Sequence, residues 1–335
     1  MYIAFILAPN IVISGNSNGI KSQAKQWRKY LTRRGHTVDE IDVWGHYDWK
    51  SYDIIHIFGS GLWLQGFVER IQLFNANLVF SPIIDSFQSP FLYKVSSFVG
   101  LKRLRLWSPT YTLRKLMPYF KAVFVRSDYE AAYVNYSLGF AKDNIFKVPV
   151  SISSYSGNDD VIGKEDFCLH ISSIYQKRKN VIRLIEAAKM FKFKLVLAGS
   201  KGTVAEFKPI QDAIGCAENI EVLGFISEEE KEDLYRRAKV FALPSIREGV
   251  GIVALDAAVF NCKVVLTNVG GPKEYFNGQA ILVNPNNTEE IGRAIAEAIK
   301  GYKANNSFKN YVLNNFSEDR VAEKLEQSYT EVTRL

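Results

Sequence analysis

The stretch PSIREGVGIVALDAA, residues 244–258, decides the fold class of this 335-residue chain. An apolar strand pattern runs into its proline, a loop carries the acid Glu248, and an apolar helix pattern follows with a second acid, Asp256. Gly249 and Gly251 have no side chain, so backbone N–H groups at the helix start can approach a ligand closely. Such a start offers unpaired N–H groups and a partial positive charge, which suit a phosphate. With carboxylates nearby for hydroxyls, the stretch predicts a pocket for a nucleotide sugar.

Strand and helix patterns alternate on both sides of this stretch, which predicts parallel sheets with helices on both faces. The predicted strands are 2–7, 38–42, 54–58, 78–82, 122–125, 145–148, 167–171, 193–198, 220–223, 240–243 and 264–267. The predicted helices are 19–34, 62–74, 110–119, 128–138, 180–190, a helix opened at 227, 251–260, 287–299 and 318–333.

The polar, turn-rich segment 151–166 interrupts this alternation and predicts a linker. Two αβ halves in tandem leave a cleft that faces the carboxyl ends of their strands. We therefore predict an α/β chain of two Rossmann-like domains, 1–155 and 156–316, that face a central cleft. The final helix, 317–335, is predicted to pack back on the first domain.

Three short signals mark helix ends. Gly35 predicts a left-handed end to the first helix, and Asn261 predicts the same after the helix that holds Asp256. Ser227 with Glu230 forms a capping box that predicts the start of another helix.

The composition is that of a globular cytoplasmic protein. No apolar run approaches the ~20 residues that span a bilayer. The start, residues 1–7, is apolar but lacks a basic n-region, so it predicts a buried strand rather than a signal peptide. Cys168, Cys216 and Cys262 are far apart and odd in number, which predicts reduced core cysteines rather than disulfides or a metal site.

Positive charge is concentrated in the first half of the chain. Residues 1–150 hold 18 of the 42 Lys and Arg but only 10 of the 35 Asp and Glu. The basic region 94–126 interleaves its bases with apolar and aromatic residues. It has two interpretations: a helix pair with a solvated basic face, or a peripheral contact with an anionic membrane at the cytoplasmic face. No recognition motif accompanies the charge, so we expect no nucleic-acid partner.

Several motifs in order resemble the family 4 glycosyltransferases, retaining enzymes with the GT-B fold. The strongest is the pair Glu248 and Asp256, where the family has two glutamates at this spacing. The others are Lys179-Asn180-Val181 with Leu184–Ala187, Leu197-Ala198-Gly199, Val222–Ile226, Gly270–Glu274, and the glycine-bearing loop Gly15–Gly19 before a helix that ends near Gly35.

The resemblance implies a role for each matching position. Glu248 would hold donor-sugar hydroxyls, Lys179 would contact the diphosphate, and both are assigned to catalysis. Asp256 would hold the ribose. The resemblance implies substrate-binding roles for Gly15, Gly19, Asp85, Ser173, Arg178, Gly199, Phe225, Gly249, Val250, Gly251, Ile252, Asp256 and Glu274. The chain contains no Asp-x-Asp pair, so we expect no metal and no cofactor beyond the nucleotide sugar as co-substrate.

Four positions depart from the family pattern. Asp256 is one methylene shorter than the usual glutamate, and Ser173 stands where the family has a phosphate-binding arginine, a role open to Lys177 or Arg178. Ile84 replaces a histidine before Asp85, and Val148–Ser151 replaces an Asn-Gly.

Each candidate also has a plain structural interpretation. Glu248 could complement a helix dipole, Lys179 could be a surface charge, and Asp256 could be a solvated helix residue. Glu274 could form a cap or a salt bridge, Gly15 and Gly19 could be turn glycines, and Asp85 could be a turn residue at a strand end. His36, His56 and His170 are expected to be structural.

The resemblance implies a retaining glycosyltransferase that moves a sugar from a nucleotide-sugar donor to a glycan, a lipid-linked acceptor or another hydroxyl acceptor. Two alternatives stay open: a weakly active nucleotide-sugar-binding subunit that supports an active partner, and a nucleotide-sugar epimerase. The epimerase would need further acid and base groups in the cleft.

Overall fold

The computed structural model describes residues 1–8, 19–42, 45–86, 88–101, 106–153, 155, 163–276 and 278–335. These residues fall into two units. The first unit joins residues 1–150 with the C-terminal helix, 318–335, and the second unit is residues 151–317. Gly15 lies outside the described residues, as does part of the basic region, residues 102–105.

The first unit is built on a six-stranded parallel sheet in the order β2-β1-β3-β4-β7-β8. A two-stranded antiparallel ribbon, β5 and β6, stands apart from it. The strands are β1 (Tyr2–Leu7), β2 (Thr37–Glu40), β3 (Ile54–Phe58), β4 (Leu78–Ser81), β5 (Gly100–Leu101), β6 (Leu106–Trp107), β7 (Ala122–Val125) and β8 (Ile145–Lys147). The helices are α1 (Gly19–Arg33), α2 (Leu64–Ile71), α3 (Pro90–Phe98), α4 (Pro109–Leu116) and α5 (Asp128–Ala132), which continues as a π-helical turn, Tyr133–Ser137.

Both faces of this sheet are buried, because alternate residues of a strand point to opposite sides. Ile3 and Phe5 of β1 join one apolar cluster with α1, whereas Ala4 and Ile6 join a second cluster with α2 and α4. The near-continuous apolar strands of the sequence are therefore explained by helices on both sides.

The C-terminal helix α13 (Glu318–Arg334) completes the core of the first unit. Its buried face packs in the same cluster as α1, with Leu325 and Tyr329 wholly buried. The hydroxyl of Tyr329 lies 2.5 Å from Nδ1 of His56, whose Nε2 lies 2.8 Å from the Ser81 hydroxyl. Burial lowers the pKa of His56 well below its usual value, so this histidine is a neutral core residue, as expected.

The second unit repeats the arrangement with a parallel sheet in the order β11-β10-β9-β12-β13-β14. Its strands are β9 (Glu165–Ile171), β10 (Lys194–Ala198), β11 (Ile220–Gly224), β12 (Ala238–Leu243), β13 (Lys263–Thr267) and β14 (Ile281–Val283). Its helices are α6 (Val181–Phe191), α7 (Val204–Ile214), α8 (Glu228–Arg237), α9 (Ile252–Val259), α10 (Pro272–Tyr275), α11 (Thr288–Lys300) and α12 (Asn306–Phe316).

The predicted helix ends are confirmed. Gly35 and Asn261 have φ angles of 84° and 62°, and both hydrogen bonds of the Ser227–Glu230 capping box are present. The elements that the sequence patterns missed include α3, α7, α12 and β14.

The cysteine prediction needs one correction, because Cys216 is exposed while Cys168 and Cys262 are buried; all three are free thiols. Among the described residues, no helix has the length and apolar character needed to cross a bilayer.

Candidate active site

The candidate site lies where the strand order of the second unit reverses. From β9 the chain moves outward to β10 and β11, then returns to place β12 on the other side of β9. In open α/β sheets, ligands bind outside the carboxyl ends of the strands at such a reversal. The segments that follow β9 and β12 carry Lys179 and Glu248.

Lys179 and Glu248 form an ion pair at this point. Nζ of Lys179 lies 2.6 Å from Oε2 of Glu248, and both side chains are only 11% exposed. The same oxygen accepts a hydrogen bond from the Ser245 hydroxyl at 3.1 Å, and NH1 of Arg178 lies 3.9 Å from the other oxygen. The structure therefore brings together both predicted catalytic residues and the predicted phosphate contact Arg178.

Asn180 holds the lysine turn against the Glu248 loop. It adopts a left-handed conformation, φ 62°, which asparagine tolerates better than most residues. Its side-chain amide donates to the carbonyls of Pro244 and Pro285, at 2.9 and 2.7 Å. A backbone hydrogen bond of 2.8 Å from Ile246 to Arg178 adds a second link. Sequence reasoning gave Asn180 no role of its own; its position next to a three-residue basic turn was the available signal.

Gly270 supports Glu248 from the other side. The two residues form an isolated parallel bridge, and Gly270 has a φ of 93°. A Cβ at this position would lie 2.3 Å from the Glu248 carbonyl oxygen, so only glycine fits. Helix α10 follows at once; the half-buried Glu274 donates its N–H to the Gly271 carbonyl.

Helix α9 begins directly after this loop. Gly251 precedes its first residue, Ile252, and has a φ of 80°. Val250 is buried, whereas Gly249 and Ile252 are half-buried. The first N–H groups of a helix have no intrahelical acceptor, and they concentrate positive potential. The helix start thus lies a few residues beyond the carboxylate that pairs with Lys179.

Asp256 lies deeper than the predicted ribose contact implies. Its side chain is wholly buried, and its two carboxylate oxygens accept hydrogen bonds from the Ser153 N–H at 2.6 Å and hydroxyl at 2.5 Å. The solvated-helix interpretation is therefore wrong. Asp256 fixes the start of the second unit, and its contact with a ribose stays a prediction.

His170 lies on β9 below the lysine turn. Its Nδ1 donates to the Ala242 carbonyl, because a carbonyl can only accept, and its Nε2 then accepts from the Ser172 hydroxyl. Burial lowers the pKa of His170 to about 4, and the positive charge of Lys179 acts in the same direction. The imidazole is neutral and joins β9 to β12 under the ion pair.

The remaining predicted residues of the second unit lie at the same sheet edge. Ser173 follows β9, Gly199 follows β10, and Phe225 follows β11 with 89% of its surface exposed. Gly199 is required by its surroundings: its φ is 117°, and a Cβ would lie 1.9 Å from the Ser172 carbonyl oxygen.

Two of the predicted residues of the first unit, Asp85 and Gly19, are among the described residues. Asp85 accepts a hydrogen bond of 2.9 Å from Arg126, which also pairs with the buried Glu130. Burial disfavours the charged form of Arg126, but the carboxylates of Glu130 and Asp85 outweigh it and raise the pKa. Gly19 is the first residue of α1, and a Cβ there would meet no atom within 4 Å, so sterics do not require this glycine.

Comparisons with known proteins find glycosyltransferases. The family model described as glycosyl transferases group 1 matches residues 151–314. An uncharacterized glycosyltransferase from Methanocaldococcus jannaschii is 30% identical over 128 residues, 38% of this chain and 32% of that protein. The O-antigen chain mannosyltransferase B from Escherichia coli is 26% identical over 143 residues, 41% of this chain and 37% of that protein. The matched segment thus spans about a third of the length of these curated relatives.

Solved structures match the whole chain. Sucrose-phosphate synthase from Thermosynechococcus elongatus superimposes with a TM-score of 0.74 at 16% identity, covering 100% of both chains. HepE from Anabaena, solved in complex with UDP-glucose, gives a TM-score of 0.64 at 14% identity, covering 99% of this chain and 100% of that one. At such identities the likeness concerns the fold alone, and it confirms the predicted GT-B fold.

Proposed function

We propose that the chain, whose residues 151–314 match the glycosyl transferases group 1 family model, is a retaining glycosyltransferase that uses a nucleotide-sugar donor. The acceptor is a hydroxyl of a glycan or of a lipid-linked molecule. The observation that carries the proposal is the Lys179–Glu248 pair at the strand-order reversal, next to the start of α9.

The cations of this site suit a diphosphate leaving group. Negative charge grows on the diphosphate as the glycosidic bond breaks, so an ammonium and helix N–H groups fixed beside it stabilise the transition state more than the ground state. Removing one such donor typically costs about 3 kcal/mol, or ~10²-fold in rate. Lys179, Arg178 and the start of α9 supply positive charge here, and we propose that transfer needs no metal.

Glu248 is proposed to bind hydroxyls of the donor sugar. Its Oε2 is held by Lys179 and Ser245. When a diphosphate arrives, the ammonium of Lys179 can contact both the phosphate and Glu248. The other Glu248 oxygen, Oε1, lies 3.9 Å from Arg178 NH1 and can accept from a sugar hydroxyl. Retention would follow from attack on the same face as the departing phosphate, which takes the acceptor proton; this mechanism is inherited from the family resemblance.

The donor class, the biosynthetic role and the location of the protein are also proposals. HepE was solved in complex with UDP-glucose, which supports a nucleotide-sugar donor. A relative is named O-antigen chain mannosyltransferase B, which supports a role in polysaccharide synthesis. We place the protein in the cytoplasm, with the acceptor handled by the first unit and Asp85 as an acceptor-side contact.

A nucleotide-sugar panel tests the proposal. We expect one donor to raise the melting temperature of the protein, since a ligand specific for the folded state adds about 2.7 kcal/mol at a hundredfold excess over its Kd. With that donor and a matching acceptor, nucleoside diphosphate should be released and the sugar transferred. Glu248→Gln should lose about 10²-fold in transfer, while Glu218→Gln, at an exposed site, should retain full activity. Full activity of Glu248→Gln would refute the role of Glu248.

A binding subunit is the second candidate, and the burial of Asp256 favours it. Each oxygen of the buried Asp256 already accepts a hydrogen bond from Ser153, so the carboxylate is less available to a ribose than the resemblance implies. A subunit of this kind would bind the donor yet show no turnover with any acceptor until an active partner is added.

A further inference from the structure

Helix α3 presents its apolar side to solvent. Phe91, Leu92, Val95 and Phe98 are between 48% and 60% exposed, and Val99, just beyond the helix end, is 66% exposed. With 3.6 residues per turn these positions fall on one side of the helix. They form a continuous apolar face, which we call the α3 face.

The opposite side of α3 fixes the helix to the first unit through the ring of Tyr93, which packs in the apolar core, and through polar contacts of Ser97. Tyr93 and Ser97 are its buried residues. The Ser97 hydroxyl lies 3.2 Å from the Ser137 carbonyl oxygen, and the Ser137 hydroxyl donates to the Pro90 carbonyl at 2.7 Å. Helices on a globular protein normally expose a polar side, whereas the exposed side of α3 is apolar. A contiguous exposed apolar face of this kind marks an interaction site.

Basic and aromatic side chains border the α3 face. Nζ of Lys94 lies 4.3 Å from the centre of the Tyr136 ring, and the guanidinium of Arg114 lies 3.8 Å from the centre of the Phe98 ring. Lys115 is exposed beside Tyr111, 5.7 Å from its ring. Residues 86–127 contain eight Lys and Arg and neither Asp nor Glu.

We propose that the α3 face docks on an anionic lipid bilayer. Phe91, Leu92, Val95 and Phe98 enter the boundary between headgroups and acyl chains, with α3 parallel to the membrane plane. Lys94, Arg114 and Lys115 meet the anionic headgroups, and the rings of Tyr111 and Tyr136 lie at headgroup level. This is the binding mode of an interfacial amphipathic helix, in which apolar burial and attraction to anionic lipid act together.

The charge distribution favours an anionic bilayer over a second copy of the chain as the partner of the α3 face. Symmetric association through the α3 face would bring two acid-free basic segments together, and like charges across an interface oppose association. An anionic surface has the complementary charge. The sequence alone indicated only a basic region, 94–126; the structure places the apolar face earlier, from Phe91, and makes it contiguous. The inference does not depend on the proposed transfer reaction.

Vesicle co-sedimentation tests the inference with the full chain. We expect the protein to pellet with phosphatidylcholine vesicles that contain about 30% phosphatidylglycerol, at least about tenfold more strongly than with pure phosphatidylcholine. The triple variant Phe91→Ser, Leu92→Ser, Val95→Ser should lose at least about tenfold of this binding. Lys115→Gln should weaken it about fivefold, which corresponds to about 1 kcal/mol, and higher salt should weaken it further. Met190→Ser, at an exposed apolar site of the second unit, should bind as the wild type does.

A depth measurement covers the case in which the triple variant fails to fold. Leu92→Trp should add a blue-shifted emission on anionic vesicles, and brominated acyl chains should quench it. The inference fails if the wild type does not pellet with anionic vesicles, if the folded triple variant pellets equally well, or if the emission added by Leu92→Trp stays unquenched. It also fails if light scattering finds a dimer that the triple variant dissociates, because a second copy would then cover the α3 face.

Discussion

The ammonium of Lys179 lies 2.6 Å from a carboxylate oxygen of Glu248, although the two residues are 69 positions apart in the chain. The pair joins the turn after β9 to the loop after β12, so it is both a link within the second unit and a pair of candidate catalytic groups. These two contributions can be measured separately.

A double-mutant cycle measures the structural contribution. Lys179→Met leaves the charge of Glu248 partly buried with one fewer partner and should lower the free energy of unfolding by about 2 kcal/mol. Adding Glu248→Leu should restore part of that loss, because the unpaired charge is gone. Chemical denaturation of the two single variants and the double variant checks this. Strictly additive losses would contradict direct coupling between the two side chains.

Gly270 should tolerate no side chain. Gly270→Ala places a Cβ 2.3 Å from the Glu248 carbonyl oxygen at a φ of 93°, so we expect a stability loss above about 2 kcal/mol and a displaced Glu248 loop. Gly66→Ala in α2, where a Cβ meets no atom within 4 Å, should be neutral or gain about 0.5–1 kcal/mol. Thermal denaturation compares the two; equal effects would argue against the bridge between Gly270 and Glu248.

Asp256 should act mainly on stability. Ser153→Ala removes the hydrogen bond from the hydroxyl but keeps the one from the backbone N–H, and Asp256→Asn replaces one accepting oxygen with an NH2 group. Each variant should cost about 1–3 kcal/mol of unfolding free energy. Calorimetric titration with the nucleotide identified by the panel then separates the roles. If only stability changes, Asp256 is structural; if Asp256→Asn weakens nucleotide binding and Ser153→Ala does not, the carboxylate also holds the ribose.

Mild acid should destabilise the protein through His170. The pKa of His170 is about 4 in the folded chain and about 6.5 when unfolded. Between these values the unfolded chain binds a proton that the folded chain does not, so stability falls as pH drops, by up to about 1.4 kcal/mol per pH unit. His170→Gln should lower the slope between about pH 7 and 5. His46→Gln, at an exposed site, should leave the slope unchanged.

Lys164 should stabilise the ends of two helices together. Its Nζ donates to the carbonyls of Tyr235 and Ala238 at the end of α8 and to that of Phe260 after α9, at 2.7–2.9 Å. Burial lowers the pKa of this ammonium, and the carbonyls at helix C-termini favour a cation. Lys164→Met should cost about 2–3 kcal/mol of unfolding free energy, whereas Lys303→Met, at an exposed site, should cost almost nothing. Similar melting temperatures for both variants would contradict this role.

Much of the fold followed from the sequence because its signals are local. The buried strands, the Gly35 and Asn261 helix ends and the Ser227–Glu230 box each depend on a few neighbouring residues. Two missed helices carried similar signals: a capping box of Thr203 with Glu206 before α7, and an N-cap at Ser89 before Pro90 in α3. Pro209 lies inside α7 and obscured its helical pattern. Most apolar residues of α3 face outward, so the helix lacks the usual stripe of apolar residues that faces the core.

The sequence indicated which residues belong to the candidate site, but it did not indicate which of them contact one another. The glycines around Glu248 indicated a ligand loop, and the basic turn indicated Lys179. Their direct pairing depends on Asn180 holding two loops together through distant carbonyls, which no local pattern encodes. Asp256 shows the same limit, because its partner Ser153 lies 103 residues away in a segment that the sequence marked only as a linker.

The structure of the protein with its nucleoside diphosphate bound is the most direct test of the proposed donor site. We predict phosphate oxygens within hydrogen-bond distance of the N–H groups of residues 249–252 and of Lys179 Nζ. A diphosphate bound elsewhere, with this helix start unoccupied and the Lys179–Glu248 pair unchanged, would contradict the account.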